Sequence, residues 1–400
     1  MEVDLAIVGF GGAGLALARA LDHRLPAAGA TAGEVGHRGL RIAVFEPKSA
    51  SLARTWCYWD AGEESLASLA PLATARWGAV ELGSPDGRRT THDLAPMQYT
   101  MLEGPRVLQD GLACLDRLGG VLIPEAVESL DETPEGVVIT SAQGSVTARW
   151  VLDSRPSPAP RQGEQTWYQH FMGWTLHADR PLFDPAVPTL MDFAVAQPRE
   201  ILPDQPTGLA FGYVLPLAPD QALVEYIVLS PGLWPTEAYR QGLEGYLDRR
   251  WSGHLAGAAI KATERGVIPM TTANRPRRLS DRLFRIGTVG GATRPASGYT
   301  FATMQRQAWQ IAELLATGQP PLPPRPYPVR HRWYDSVMLR ALRNETISGP
   351  EVLTGMFRDQ PAERVLRFLD GRTSLAEEVR LMNTLPAWPM LRASFGRSQG

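Results

Sequence analysis

The apolar positions of this chain change period from segment to segment, and each change predicts an element. Asp4 to Val8 is a short apolar run, which reads as a strand. A glycine-rich turn follows, and then LALARALDHRL, Leu15 to Leu25, carries apolar residues at helical spacing. A charged and glycine-rich insert, Pro26 to Gly39, separates that helix from a second apolar strand, RIAVFEP, which ends at Glu46. Strand, helix and strand in that order imply a parallel sheet with a right-handed crossover. Further along, GVVITSAQGSVTARWVLDSR predicts a hairpin that turns at Ala142 to Gly144 and closes at Asp153. The prolines of PSPAPRQG then break the pattern, so a domain boundary is expected there.

From about Thr166 to Glu264 the chain shifts to aromatic-rich strands: TWYQHFMGWTLH, TLMDFAVA, GLAFGYVLPL and QALVEYIVL. The last two flank Pro219-Asp220 and predict an antiparallel hairpin. PGLWPTEAYRQGLEGYLDRRW predicts a helix laid over a sheet face. LFRIGTVGGA, Leu283 to Ala292, is again a strand running into a glycine turn, and TFATMQRQAWQIAELLATG is a long helix stopped by Gly318. PPLPPRPYP is a semi-rigid connector, and the tail beyond it is helical and in places amphipathic.

One position departs from this pattern. In QALVEYIVLSP, Leu223, Glu225, Ile227 and Leu229 share one face, while Ala222, Val224, Tyr226 and Val228 share the other. Both faces are apolar except for Glu225. Such a glutamate either meets water on a half-exposed strand or sits in a dry pocket, where desolvation raises its pKa and leaves it a proton to donate.

Length and composition narrow the classes. Four hundred residues exceed what one core accommodates, so two domains, interleaved or serial, are expected. The net charge of -2 supplies no basic surface for nucleic acid. The two cysteines, Cys57 and Cys114, have no metal or redox-motif spacing, which suits a reduced intracellular compartment. The opening MEVDLAIVGFGG lacks the basic start of a signal peptide, and no apolar window is long enough to cross a bilayer. The seven histidines are scattered and no GxSxG occurs, so no metal site or serine nucleophile is expected.

Gly9-Phe10-Gly11-Gly12-Ala13-Gly14 is GxGxxG between a strand and a helix, the context that motif needs. Gly9 permits the tight turn, Gly11 lets backbone approach a pyrophosphate, with Gly12 beside it, and Gly14 lets helix and strand pack closely. Glu46 is placed for a ribose hydroxyl, further along than the usual ~20 residues because of the insert. These residues leave NAD and FAD both open. In RTWCYWD, Arg54 and Thr55 are candidates for the cofactor and the aromatics for a substrate, unless the aromatics merely pack under a surface loop. The block from Arg285 to Ala308 puts a second glycine turn before a helix. A flavin enzyme needs such a loop to meet the isoalloxazine where reduction leaves negative charge. Ser297, Gly298 and Tyr299 are candidates for that contact, with Gly291 and Asp153 counted in the same set. The plainer alternative is a helix start capped by Thr300.

Seven segments in order, DLAIVGFGGAGLALA, RTWCYW, VLDSRP, QHFMGW with TLMDF, FGYVLPLAPDQALVEY, ERGVIPMT and GGATRPASGYTF, resemble the flavoprotein lycopene cyclases of bacterial carotenoid synthesis, of the lycopene beta-cyclase type. The resemblance implies an α/β chain with a glutathione-reductase-like, FAD-binding Rossmann fold, an inserted antiparallel β-sheet substrate domain and a helical C-terminal tail. On that plan residues 1–155 and 266–318 form the FAD domain, 160–265 the substrate sheet and 319–400 the tail. It further implies reduced FAD as the active form, NAD(P)H as reductant, and an isomerase reaction with no net redox change.

Glu225 matches the acid regarded as essential in that family, where a proton is delivered to a linear polyene to start closure of a β-ionone ring, with Glu225 or the reduced flavin as donor and Glu225 as base in the latter case. Trp56, Trp59, Trp167, Phe171 and Trp174 are expected to line the substrate tunnel. A linear, lycopene-like carotenoid comes from a bilayer, so the expected location is cytoplasmic and peripheral at the inner face of the membrane, with other carotenoid enzymes as neighbours. RWYDSVMLRALRN and TLPAWPMLRASFGR have the mixture of an interfacial helix, or of a core helix with solvated arginines. A redox flavoenzyme of the same fold, a hydroxylase or prenyl-chain reductase, is the alternative and would consume NADPH stoichiometrically. A non-enzymatic FAD- or carotenoid-binding protein would bind pigment without converting it.

Overall fold

The computed structural model describes residues 1–25, 39–47, 54–156, 166–254 and 257–384. Nearly all of the Pro26 to Gly39 insert, PSPAPRQG and TLPAWPMLRASFGR lie outside the described residues. Among those described, the strands, numbered in chain order, form three sheets.

The first has a parallel centre. β1 (Glu2–Val8) runs between β2 (Ile42–Phe45) and β11 (Gly144–Asp153), with β8 (Val121–Ile123) beyond β2 and β17 (Leu283–Arg285) parallel to β11. β9 (Val127–Glu132) and β10 (Val137–Ser141) extend it antiparallel. Leu5 and Ile7 pack on one face with the helices Gly12–Arg24 and Phe301–Ala316, while Val3, Ala6 and Val8 pack on the other. Cover on both faces is why β1 reads as a continuous apolar run and not as an alternation.

The second sheet has the order β16 (Ala259–Thr271), β12 (Thr166–His177), β15 (Gln221–Ser230), β14 (Leu209–Ala218), β13 (Thr189–Asp192), β5 (Ala79–Gly83) and β6 (Arg89–Asp93). β14 and β15 are the hairpin expected around Pro219-Asp220. β5 and β6 come from within residues 1–155, so the boundary expected near residue 155 does not divide the molecule. The reason is that β13 pairs with β5 in parallel, which stitches an early segment into the later sheet. Val224, Tyr226 and Val228 face the helix Thr236–Trp251, and Leu223, Ile227 and Leu229 face the opposite way.

That opposite face is covered by two things. One is a small antiparallel sheet of β3 (Thr55–Asp60), β7 (Gln98–Glu103) and β4 (Ala73–Trp77); RTWCYWD is therefore a paired strand and not a loop. The other is the tail, whose helices Val329–Arg343, Gly349–Asp359, Ala362–Leu369 and Leu375–Met382 bring Leu339, Phe357 and Leu366 into one core with Leu223 and Ile227. RWYDSVMLRALRN is thus in part a core segment, with Leu339, Ala341 and Leu342 buried and Trp333 exposed.

An ion pair latches the tail to the glycine-rich block. Arg294 Nε lies 3.1 Å from Asp335 Oδ1, both residues are buried, and the guanidinium also lies over the Phe368 ring. Removing one member of a buried pair strands the other charge. Asp335→Ala is therefore expected to destabilise the fold by about 3–5 kcal/mol in urea unfolding. A loss within about 0.5 kcal/mol, the range of surface substitutions, would show that the latch is not holding the tail.

Candidate active site

A cavity of about 1220 Å³ is lined both by the first glycine turn and by the Glu225 face of the second sheet. Gly9, Gly11, Gly12 and Glu46 line it on the side of the parallel sheet. Gly9 has φ +94°, and a Cβ on Gly14 would stand 2.2 Å from the Gly9 carbonyl oxygen, so neither position admits a side chain. A Cβ on Gly11 would meet nothing within 4 Å, which leaves its backbone open to a ligand. The helix Gly12–Arg24 starts with no side-chain cap, so its first amides still point at whatever fills the turn. Glu46 accepts a hydrogen bond from the Phe10 amide and thereby closes the loop over that space. Open amides, a helix N-terminus and a carboxylate at the end of the second strand fit a dinucleotide.

The second glycine turn reaches the same place. A Cβ on Gly287 would lie 2.9 Å from the Ala13 Cβ, and one on Gly12 would lie 3.0 Å from the Met304 Cε, so the two helix starts adjoin. Ser297, Gly298 and Tyr299 line the cavity, Gly298 with φ +70°. Thr300 does not cap the helix through its side chain. Its hydroxyl donates to the Gly298 carbonyl at 2.8 Å instead, which leaves the amides at this helix start open as well. Arg54 and Thr55 line the cavity.

Gly291 and Asp153 stand outside that lining. Gly291 ends the short turn Gly287–Gly290, and Asp153 is turned to Arg155, whose amide and guanidinium donate to its carboxylate. The neighbouring Ser154 and Arg155 face the cavity in its place.

Glu225 also lines the cavity and is only 4% exposed. Strand register explains how so long a side chain fits. Glu225 pairs with Gly173 on β12, and Gly173 pairs with Glu264 on β16, so the three share one face in a row across the strands. A Cβ on Gly173 would stand 2.7 Å from the Glu225 Cγ and 3.1 Å from its Oε1. The glutamate therefore lies across the space a side chain would take. Among the described residues no group donates a hydrogen bond to it and no cation pairs with it. Burial pushes its pKa well above the ordinary carboxylate value, and the Glu264 charge pushes it further the same way. Both effects favour the form that keeps its proton.

The phenols and the thiol beside the acid are neutral at physiological pH. Tyr213, its neighbour on β14, shares a hydrogen bond of 2.7 Å with Tyr99, and burial raises both phenols. Cys57 lies against these phenols, its thiol pushed up to about 12 by burial. Trp56, Trp59 and Phe171 line the cavity; Trp56 stacks on Phe301 at 5.7 Å between centroids, and Trp59 meets Tyr299 edge-on at 4.2 Å.

Two expected tunnel residues are elsewhere. Trp174 pairs with Val224, so the two-residue period turns it to the face under the helix Thr236–Trp251. Trp167 is on the correct face but wholly buried in the wall, outside the lining.

Pattern reading missed Tyr99, Tyr213 and Glu264. Glu264 sits in the quoted ERGVIPMT, but its relation to Glu225 depends on Gly173 standing between two strands, which one segment alone does not reveal. A further trio has the look of hydrolytic machinery: His170 Nε2 is 2.8 Å from Ser230 Oγ and its Nδ1 is 2.6 Å from the Tyr239 hydroxyl. His170 is 0% exposed, and the Ser230 hydroxyl also bonds the Gly232 carbonyl, so these groups pin strands together.

The family described as Lycopene cyclase protein matches residues 4–395. A lycopene beta-cyclase of Pseudescherichia vulneris is 28% identical over 353 residues, covering 83% of this chain and 84% of that protein. One of Paracoccus sp. (strain N81106 / MBIC 01143) is 26% identical over 357 residues, with 83% of each covered. Among solved structures, a geranylgeranyl bacteriochlorophyll reductase-like protein of Thermoplasma acidophilum superposes with TM-score 0.60 at 12% identity, over 98% of both chains. The flavin-dependent brominase Bmp2 does so with TM-score 0.59 at 12% identity, over 95% of this chain and 97% of its own. These superpositions are likenesses of fold, and the fold is the Rossmann-type α/β arrangement of FAD-dependent proteins.

Because a Cβ at position 173 would strike the acid, Gly173→Ala is expected to cut conversion of lycopene by about a hundredfold while the bound-flavin spectrum stays unchanged. Chromatography of pigments from lycopene-accumulating cells measures this; unaltered conversion would mean the acid is not held over Gly173.

Proposed function

This chain belongs to the lycopene cyclase family, and on that footing we propose that it closes the linear end of a lycopene-like carotenoid into a β-ionone ring by acid-base chemistry, with no electrons consumed overall. The observation that carries the reading is Glu225, 4% exposed and, among the described residues, without a hydrogen-bond donor or cation, on the apolar wall of a cavity it shares with a dinucleotide cradle. A redox flavoenzyme of the same fold could also use a proton donor, but it would consume NADPH in step with product, which the cyclase reading does not require. An alkene is a very weak base, so its protonation needs a donor that is still charged with its proton at neutral pH.

In the proposed sequence Glu225 delivers its proton to C2 of the terminal C1=C2 bond, and C1 becomes a tertiary cation. The C5=C6 bond then attacks C1, forming the ring bond. Loss of a proton from C6 completes the product, so one proton enters and one leaves. Trp56, Trp59 and Phe171 line the cavity, and a ring face turned to the cation would attract it by about 0.5–2 kcal/mol. The apolar walls and the tail helices that cover this face keep out water, which would otherwise trap the cation as an alcohol.

Gly9, Gly11, Gly12 and Glu46 would hold the ADP part of FAD, with Arg54 beside it and Ser297, Gly298 and Tyr299 at the isoalloxazine. Reduced FAD, maintained by NAD(P)H, would supply an electron-rich ring beside the cation.

No helix among the described residues is long and apolar enough to cross a membrane. Val329, Trp333, Leu375 and Val379 are exposed, each next to or one turn from a member of the Arg330–Glu378 ion pair that joins their two helices. We read this face as the one laid on the inner surface of the membrane, from which the carotenoid is taken.

Two outcomes test these readings. Glu225→Gln is expected to abolish ring formation, a loss of at least about 10³-fold, with bound flavin intact and no stoichiometric NADPH oxidation in the wild type; normal turnover in that variant would return Glu225 to a structural role. Trp333→Ala combined with Val379→Asp is expected to lower recovery with floated anionic liposomes about tenfold. Undiminished flotation would place the membrane face elsewhere.

A further inference from the structure

Glu264 has no part in the sequence just described, yet both of its carboxylate oxygens are held beside the site. It lies on β16, the edge strand of the second sheet, with the β16 and β15 backbones roughly 10 Å apart on either side of β12. The residue of β12 between Glu225 and Glu264 is Gly173, so no side chain stands between the two carboxyl groups. Glu225 leans into that gap. Glu264 does not line the cavity; its oxygens are taken by β3, where the Thr55 amide donates to Oε1 at 2.8 Å and the Thr55 hydroxyl to Oε2 at 2.9 Å.

The two carboxyls are treated differently by their surroundings. Burial raises both. For Glu264 this is opposed by the two Thr55 donors and by the positive charge of Arg54, which favour its anion. Glu225 has no such support, and the Glu264 charge adds to its burial. The other titratable groups facing Glu225 are Tyr213 on β14 and, from the small sheet, Tyr99 and Cys57, all held neutral by burial. When two carboxyls share a dry region, one negative charge is tolerated, and it settles on the member with donors.

We propose that Glu264 is a positioning residue for the acid: a negative charge clamped by Thr55, acting through the opening at Gly173, that keeps the proton on Glu225. The proposal rests on the assignment of Glu225 as proton donor. It gives β3 a second task, since the strand that carries Trp56 and Trp59 into the cavity also fixes the charge that sets the donor's protonation. No atom of Glu264 needs to meet the substrate.

The experiment is the pH dependence of kcat for lycopene cyclisation by the flavin-loaded enzyme, compared among wild type, Glu264→Gln, Glu264→Asp, Thr55→Val and Glu225→Gln. In the wild type the rate falls only as pH rises through the raised pKa of Glu225. Removing the Glu264 charge lowers that pKa, so the alkaline limb of Glu264→Gln is expected to move down by about one pH unit or more. Glu264→Asp, which keeps the charge, is expected to bring the limb most of the way back. An alkaline limb in Glu264→Gln that coincides with wild type overturns the proposal, as does a Glu264→Asp limb no closer to wild type than that of Gln.

If Glu264→Gln fails to hold flavin, Thr55→Val decides. It removes one donor from the anion and should move the limb in the same direction by a smaller amount; an unmoved limb overturns the proposal. Glu225→Gln separates the two levels of the argument. Ring formation by that variant overturns the donor assignment and this pair with it, whereas an inert Glu225→Gln beside an unshifted Glu264→Gln overturns the pair alone.

Discussion

The structure turns on the cost of ionising a carboxyl group away from water. An ion of that size loses several kcal/mol of solvation on burial, even after the protein relaxes around it. Among the described residues Glu225 has neither donors nor a cation to offset the loss, so its surroundings favour the neutral form. Each notable feature around the site either maintains that dryness or places the acid within it.

The architecture follows from that requirement. The parallel sheet with its glycine turns makes a cradle for a dinucleotide, and the second sheet offers a broad apolar face on which a hydrocarbon can lie. Neither alone encloses anything. Enclosure comes from β3, β7 and β4 on one side and from the tail on the other, and the tail is fastened to the glycine-rich block at several points. The Ser297 hydroxyl donates to the Leu369 carbonyl at 2.8 Å, Arg306 bridges Asp370 and Glu63 at 2.6 Å each, and Arg294 is buried against Asp335. Leu369 and Asp370 themselves line the cavity. The C-terminal helices are thus a wall of the site, and the apolar residues they leave exposed lie on their outer surface.

Much of this was legible in the chain because its local patterns are strong. The strand, glycine turn and helix from Glu2 to Arg24, the hairpin around Pro219-Asp220 and the long helix from Phe301 are each specified by residues close in sequence. The face that Glu225 occupies was legible for the same reason, since strand alternation is local. What stayed hidden depends on register between distant segments. The parallel pairing of β5 with β13 leaves no mark in either segment. Trp174 looks as good a tunnel residue as Phe171 until its pairing with Val224 shows which face it occupies. Glu264 becomes meaningful only once Gly173 is known to stand beside Glu225.

The protonation state of Glu225 is the central claim, and infrared difference spectroscopy reads it directly. The spectrum of the flavin-loaded wild type minus that of Glu225→Gln, taken at neutral pH, should contain the C=O stretch of a protonated carboxyl group, shifted by heavy water as an acid proton requires. A difference spectrum showing instead the paired bands of a carboxylate would contradict the account, because an ionised Glu225 has no proton to give.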